Sequence, residues 1–307
     1  MIYFIVNKQS RTGKGALIWR EISSILKEKK VTYKAFSTEY KGHATKLAKM
    51  ISSNLKDEIK LVAVGGDGTI NEVINGIDDF EKVCFGVIPT GSGNDFARGL
   101  NLRGDIRQYV ERIISCEQVE RIDLGRVCYG NNKSRYYAIS SGIGMDAIVC
   151  KKALNSKLKT FLNKIHLGKL TYLILTIQTL FSMETVKVKI RFDNEKIKGF
   201  KKLIFCATMN FKAEGGGVPM APRADSQDGK LSVCLAHGIP KWETFFMLPL
   251  LVLAKHEKLS CFYNVDCQAC EIKLSKPVVV HADGEYLGDV SSIFYECMPG
   301  KLRIIIQ

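Results

Sequence analysis

The residues best able to do chemistry sit in three glycine-bearing segments of the 307-residue chain: Val64-Gly65-Gly66-Asp67-Gly68-Thr69-Ile70-Asn71-Glu72, Pro89-Thr90-Gly91-Ser92-Gly93-Asn94-Asp95-Phe96-Ala97-Arg98 and His281-Ala282-Asp283-Gly284-Glu285. Each of the first two follows an apolar run and opens a helical one. At such a junction free backbone N–H groups and the helix dipole point at the loop, which suits phosphate. Glycine lets the backbone turn tightly and lets an anion approach. Asp67 is odd in a pure anion cradle, and fits one in which a metal ion mediates the contact. The bland alternative is a tight turn with a solvated Asp67. The third segment sets two carboxylates two residues apart. Asp283 there can accept a proton from an attacking alcohol. Two phosphate loops and a distant carboxylate pair predict phosphoryl transfer, which is mostly positioning and charge neutralisation.

Local chemistry sharpens the two loops. Thr69 followed by Glu72 reads as a capping box, so the first helix is predicted to start at Thr69. Ser92 is the N-cap candidate of the second, with Asp95 at its third position. Gly13-Lys14 lacks the rest of a Walker loop, and neither a G-x-G-x-x-G fingerprint nor a protein-kinase signature occurs. His281 reads as a structural strand-end histidine. Cys267 and Cys270 have metal-ligand spacing but no second pair to complete a zinc site.

The elements that must position these residues alternate at first. Ile2–Val6, Tyr33–Ser37, Ile59–Val64 and Val83–Ile88 read as strands, separated by helical patterns such as Ala44–Leu55. Continuous apolar runs in such strands imply a parallel sheet covered on both faces. Beyond Arg121 strands dominate, and Val186, Val188, Ile190 and Phe192 alternate with Lys187, Lys189 and Arg191, the period of a half-exposed antiparallel strand. The expected fold is α/β plus all-β. Residues 1–123 form a nucleotide-binding α/β domain with a parallel sheet. Residues 124–307 form an antiparallel β-sandwich with helical insertions, and the C-terminal tail packs back on the first domain. One insertion, Lys151–Lys169, is basic and amphipathic; it suits an anionic membrane or an ordinary surface helix. The other, Trp242–His256, reads as a core helix or as the wall of an acyl-chain pocket.

Composition sets the outer limits. With 46% hydrophobic and 25% charged residues, a packed core is easily supplied. A formal charge of +14 points to an anionic partner. Nucleic acid is disfavoured, because no basic patch is interleaved with aromatics. Leu170–Met183, the longest apolar stretch, is too short and too polar to span a bilayer. No leader pattern precedes Ile2, and the ten scattered cysteines fit reduced thiols. The expected location is the cytoplasm, with peripheral membrane contact.

A further stretch, Glu214-Gly215-Gly216-Gly217-Val218-Pro219-Met220-Ala221-Pro222-Arg223-Ala224, leads into Asp225-Ser226-Gln227-Asp228-Gly229-Lys230-Leu231. With it, four ordered segments make the chain resemble the diacylglycerol kinase catalytic-domain superfamily, and within it the bacterial soluble lipid kinases, over essentially its whole length. The resemblance implies ATP and Mg²⁺ as cofactors, and a lipid alcohol at an anionic membrane surface as acceptor, diacylglycerol first. The family's first nucleotide segment, asparagine-proline-x-serine/alanine-glycine, is matched by Asn7-Lys8-Gln9-Ser10-Arg11, with lysine for proline and the glycine delayed to Gly13. Nucleotide contact is implied for Asn7, Ser10, Arg11 and Thr38. It is implied around the phosphates for Gly65, Gly66, Asp67, Gly68, Thr69, Asn71 and Glu72, and for Ser92, Asn94 and Asp95. Asp283 matches the general base and Glu285 its neighbour. Asp228 matches a structural magnesium ligand that shares the ion with the carbonyls of Asp225 and Lys230. A homodimer is the default expectation. Rival readings are other lipid acceptors (sphingoid bases, ceramide, monoacylglycerol, undecaprenol), a soluble acceptor as in the distantly similar NAD kinases, and a non-catalytic nucleotide or lipid sensor.

Overall fold

The computed structural model describes residues 1–11, 13–154 and 168–306. The chain forms two compact units, Met1–Asp123 with Gly300–Gln307, and Leu124–Pro299.

In the first unit the strands with unbroken apolar runs lie at the centre. β1 (Ile2–Val6), β2 (Tyr33–Ser37), β3 (Ile59–Gly65) and β4 (Val83–Pro89) are parallel, in the order β4-β3-β1-β2. Phe4, Leu61, Val62, Val64 and Phe85 are fully buried, so both faces are covered, as the sequence predicts. Helices α1 (Lys14–Glu28), α2 (His43–Ser52), α3 (Asp67–Ile74), α4 (Asp95–Gly99) and α5 (Ile106–Ser115) make those covers. α1 buries Ile22, Ile25 and Leu26, a stripe at helical spacing. α2 stops at Ser52, short of the predicted Leu55. The Ser52 and Ser53 hydroxyls donate back to the Ala48 and Lys49 carbonyls, and Ser53 is already extended. After β4 the sheet gains one more parallel neighbour from far along the chain, with Ile304 opposite Phe85. Gly300 N donates to the buried Asp123 carboxylate at 2.7 Å, and Ile306 N to the Gln118 carbonyl at 3.0 Å.

The second unit is antiparallel. β5 (Val119–Tyr129) enters it and pairs with β6 (Lys133–Tyr137). Then come β7 (Ser140–Gly144), α6 (Met145–Leu154), α7 (Gly168–Ser182), β8 (Val186–Phe192), β9 (Lys198–Leu203), β10 (Phe205–Met209), β11 (Leu231–Ala236), α8 (Lys241–Val252), β12 (Phe262–Cys267), β13 (Ala269–Ala282) and β14 (Glu285–Ile305). β12, β11, β10, β7, β13 and β14 are neighbours in that order, and β8 pairs with β13 and β9. One apolar cluster, with Tyr137, Ile190, Phe192, Ile272 and Tyr295, fills the space between strands. A second, with Met145, Val149, Phe205, Met209 and Leu251, lies between the sheet and its helices. The sandwich with helical insertions is as predicted. Most of Lys151–Lys169 lies outside the described residues; Lys151 stacks on the Tyr286 ring and Lys152 Nζ donates to Thr179 Oγ1 at 3.1 Å. The Trp242–His256 helix is shorter than predicted and is not a core helix, because much of its apolar side is exposed. Cys267 and Cys270 are buried side by side, and their hydrogen bond and burial push the Cys270 thiol well above its ordinary range.

Candidate active site

The first unit gathers its predicted residues at the carboxyl edge of the parallel sheet, where open α/β sheets bind ligands. Asn7 directly follows β1, and its Nδ2 donates to Thr69 Oγ1 at 3.0 Å. Ser10 Oγ lies 2.7 Å from Thr90 Oγ1. Thr38 N donates to the Val6 carbonyl at 2.9 Å, which seats Thr38 at the same edge. Thr90 N donates to the Gly65 carbonyl at 2.8 Å. The two glycine loops then meet backbone to backbone: a Cβ on Gly91 would stand 2.8 Å from Gly66 Cα. Asn71 is buried inside α3, Arg11 and Ser92 are exposed, and Arg11 has a left-handed φ of 49°. Thr90 was not among the predicted contacts, although its place in the second loop was visible in the sequence.

Both predicted caps are replaced. α3 starts at Asp67 rather than Thr69, with Gly66 as N-cap and no side-chain cap. Glu72 does not fold back on its own helix. Its Oε1 and Oε2 accept from Gly42 N at 2.8 Å and Ala44 N at 3.2 Å, capping α2, whose own N-cap Gly42 has no side chain to offer. Glu72→Ala is therefore expected to cost about 0.5–2 kcal/mol in a urea unfolding curve, the range for a lost cap. α4 begins with Asp95 at its first position, after Asn94 in the left-handed region at φ 52°, and Ser92 caps nothing. The cap comes instead from Asp67, whose carboxylate oxygens accept from Asp95 N and Phe96 N, each at 3.1 Å. Asp67 thus clamps the second loop to the first, and its place in the motif needs no metal ion to explain it. Asp95 pairs with Arg98, whose Nη2 donates to the Gly93 carbonyl at 2.8 Å. Beside this loop opens a cleft of about 450 Å³ lined by Asn94, Arg98, Asn101, Arg103 and Tyr109.

In the second unit Asp283 and Gly284 form the two-residue turn between β13 and β14, with Ala282 paired to Glu285. Their φ values are 46° and 80°, the signature of the hairpin turn that Asp-Gly favours. The Asp283 carboxylate folds back onto the segment between β6 and β7. Oδ2 accepts from Ala138 N at 2.9 Å, and Oδ1 from Ile139 N and Ser140 N at 2.9 and 3.0 Å. Its main-chain N donates to the Ser140 carbonyl at 2.8 Å. Glu285 begins β14 and is half-buried.

Around this turn lies a group whose proximity the sequence did not show. The Ser140 hydroxyl bonds to Glu214, which opens the Glu214–Ala224 segment. His281 is buried; its Nε2 lies 3.3 Å from Asp146 Oδ2, and its Nδ1 accepts from Gly284 N at 3.2 Å. Ligand atoms of Asp146, Glu214 and His281 all lie within 4.8 Å of one another. Burial opposes charge on the His281 ring, but the Asp146 hydrogen bond and the carboxylates around it outweigh that and raise its pKa. The ring with its proton on Nε2 alone satisfies both bonds at once. Asp146→Asn should disturb this, because an amide N–H aimed at Nε2 favours the other tautomer, whose Nδ1–H opposes Gly284 N–H. Imidazole ¹⁵N shifts are expected to report the tautomer change, with about 1–3 kcal/mol of stability lost. An unchanged His281 tautomer in Asp146→Asn would rule this out.

The Asp225–Lys230 loop folds on its own side chains. Gln227 N donates to Asp225 Oδ1 at 3.0 Å, and Lys230 N to Asp228 Oδ1 at 2.9 Å. Its donors are carboxylate and carbonyl oxygens, the set a hard divalent cation takes.

Both halves of the chain match family models. Residues 1–127 match the diacylglycerol kinase catalytic domain, and residues 139–306 the YegS C-terminal NAD kinase β-sandwich-like domain. A diacylglycerol kinase of Staphylococcus carnosus (strain TM300) is 30% identical over 261 residues, covering 85% of this chain and 80% of its own. The chain belongs to the diacylglycerol kinase family. It is an enzyme of the lipid-kinase class. The YtlR protein of Bacillus subtilis (strain 168) aligns with this kinase over 306 residues, 98% of each chain, at 28% identity. The crystal structure of a diacylglycerol kinase from Bacillus anthracis shares its fold, with a TM-score of 0.71 at 20% identity, over 99% of this chain and 96% of that one. The NAD kinase of Archaeoglobus fulgidus, solved with ATP, is alike in fold at a TM-score of 0.53 and 14% identity, over 99% and 92% of the two chains.

Proposed function

We propose that this kinase transfers the γ-phosphoryl group of ATP to the hydroxyl of a lipid alcohol, diacylglycerol first among them, with magnesium. The observation that carries the reading is Asp283, a carboxylate fixed by three backbone amides at a hairpin turn. The phosphates of ATP would lie on the loops after β3 and β4, where the first turn of α3, which has no side-chain cap, presents backbone N–H groups. The acceptor hydroxyl gives its proton to Asp283 while its oxygen bonds to the γ-phosphorus; the bond to the bridging oxygen breaks and ADP leaves. Asp228, with the carbonyls of Asp225 and Lys230, would hold a magnesium ion. Bound there, the ion would neutralise and brace that loop.

The test is incubation with γ-labelled ATP, Mg²⁺ and mixed micelles of diacylglycerol, beside a total lipid extract. Label is expected in phosphatidate, and its appearance is expected to stop when a chelator removes divalent ions and to return with added Mg²⁺. Label in another lipid would replace the acceptor; label only in a water-soluble product would remove the lipid reading.

A further inference from the structure

α8 wears its apolar side outward. Thr244 and Leu251 are its buried residues, and Met247 and Leu248 pack on the cluster shared with α6 and α7. Trp242, Phe245, Phe246, Pro249, Val252 and Leu253 are all exposed. Their spacing at i, i+3, i+4, i+7, i+10 and i+11 makes one continuous stripe along the helix. Trp242 is 59% exposed, Phe246 62% and Leu253 61%. Phe246 meets Trp242 and Phe245 edge to face, at 6.3 and 5.8 Å between ring centres. No charged residue interrupts the stripe. Phe181, also exposed, adjoins it at the end of α7, since Lys241 Nζ donates to the Phe181 and Met183 carbonyls at 3.1 and 2.8 Å. An apolar surface of this extent marks an interaction site.

The rim of the stripe is basic. Lys255 and Lys258 follow its C-terminal end and are exposed. The exposed pair Lys201 and Lys202 lies by its entry, where Gly238 N donates to the Lys201 carbonyl at 3.0 Å. Of the nearby acids, Glu243 is half-buried, Glu257 is paired with Arg223, and Glu184, beside Lys241, is paired with Lys276. A tryptophan-bearing apolar stripe edged with lysines fits an anionic bilayer interface: the rings enter the headgroup boundary and the lysines meet the lipid phosphates. A second copy is a poor match, because like-charged rims would face each other on a chain of formal charge +14.

We propose that α8 lies in the interface of an anionic lipid bilayer, inserts Trp242, Phe245 and Phe246, and so holds the second unit on the surface that carries the acceptor. The inference rests on the lipid-acceptor reading above. It deepens that reading, because Leu251 on the inner side of α8 packs in one cluster with Met145 and Val149 of α6, the helix that carries Asp146.

The chain has two tryptophans, Trp19 and Trp242, so Trp19→Phe leaves Trp242 as the only indole. In that protein, phosphatidylglycerol vesicles are expected to blue-shift Trp242 emission, and brominated acyl chains to quench it. Phosphatidylcholine vesicles should do neither at the same concentration. Phe245→Ser with Phe246→Ser should weaken vesicle sedimentation by about tenfold per ring. Lys255→Glu with Lys258→Glu should weaken it on anionic vesicles, with the loss shrinking as salt is added. Unchanged emission, unchanged sedimentation of the double-serine variant, or a stable dimer that the same variant dissociates would overturn the proposal. Insertion without phosphorylation of any lipid would leave it standing and remove the acceptor reading. Phosphorylation in detergent micelles without insertion would do the reverse.

Discussion

Asp283→Asn is expected to lower turnover by about a hundred- to ten-thousand-fold, the range for a lost general base. The same substitution sets an amide group against backbone donors at Ala138, Ile139 and Ser140, where only acceptors fit. A buried donor left unmatched there costs about 1–3 kcal/mol. The two effects separate by measurement. Unfolding reports the second, and an ATP-binding measurement tells whether nucleotide is still held. A protein that unfolds a few degrees early, binds ATP as before and has lost turnover beyond a hundredfold is the expected result. Turnover within about tenfold of the parent would remove Asp283 from the proton transfer.

Gly91→Ala is expected to strike nucleotide use rather than acceptor use. A Cβ at residue 91 would meet Gly66 Cα at 2.8 Å and Asn94 Oδ1 at 2.9 Å. The first contact is backbone, so the loops must part rather than a side chain swing away. Overpacking of this kind costs about 1–3 kcal/mol. A displacement near an ångström at a phosphate site can cost about a hundredfold in rate. We expect the KM for ATP to rise by about tenfold or more, while the KM for the acceptor stays within about twofold. Equal increases in both would show that the loops do not act on nucleotide alone.

The sequence made the frame legible because the frame is local. Ile59–Val64 and Val83–Ile88 have the unbroken apolar runs of doubly covered strands, and glycine after each announces a tight turn. Asp-Gly between two strands likewise announces the hairpin at Asp283. What was not legible depends on partners far apart in the chain. Glu72 looked like the second half of a capping box with Thr69, but Gly42 and Ala44 offered it better donors. Asp67 and Ser92 are a similar case: the cap of α4 comes from 28 residues upstream, and spacing within one loop cannot reveal that. His281 reads from the sequence as a structural strand-end histidine; its link to Asp146 crosses 135 residues, which no local pattern shows. The composition of α8 announced an apolar helix and could not tell which side would be wet, since the helix is apolar almost all round.

The last strand has a consequence for how this enzyme is made. Residues 300–306 belong to the first unit: Ile304 extends its parallel sheet beside Phe85, Gly300 satisfies Asp123, and Arg303 pairs with Glu58. During synthesis, residues 1–123 leave the ribosome first, and early domains ordinarily fold as they emerge. This one cannot finish its sheet then, because its edge piece is translated after all of residues 124–299. A chain broken anywhere in the second unit would leave the β4 edge of the sheet open and the buried Asp123 carboxylate without the Gly300 amide. Proteases find such half-built sheets readily, so quality control on the nascent protein falls on the first unit.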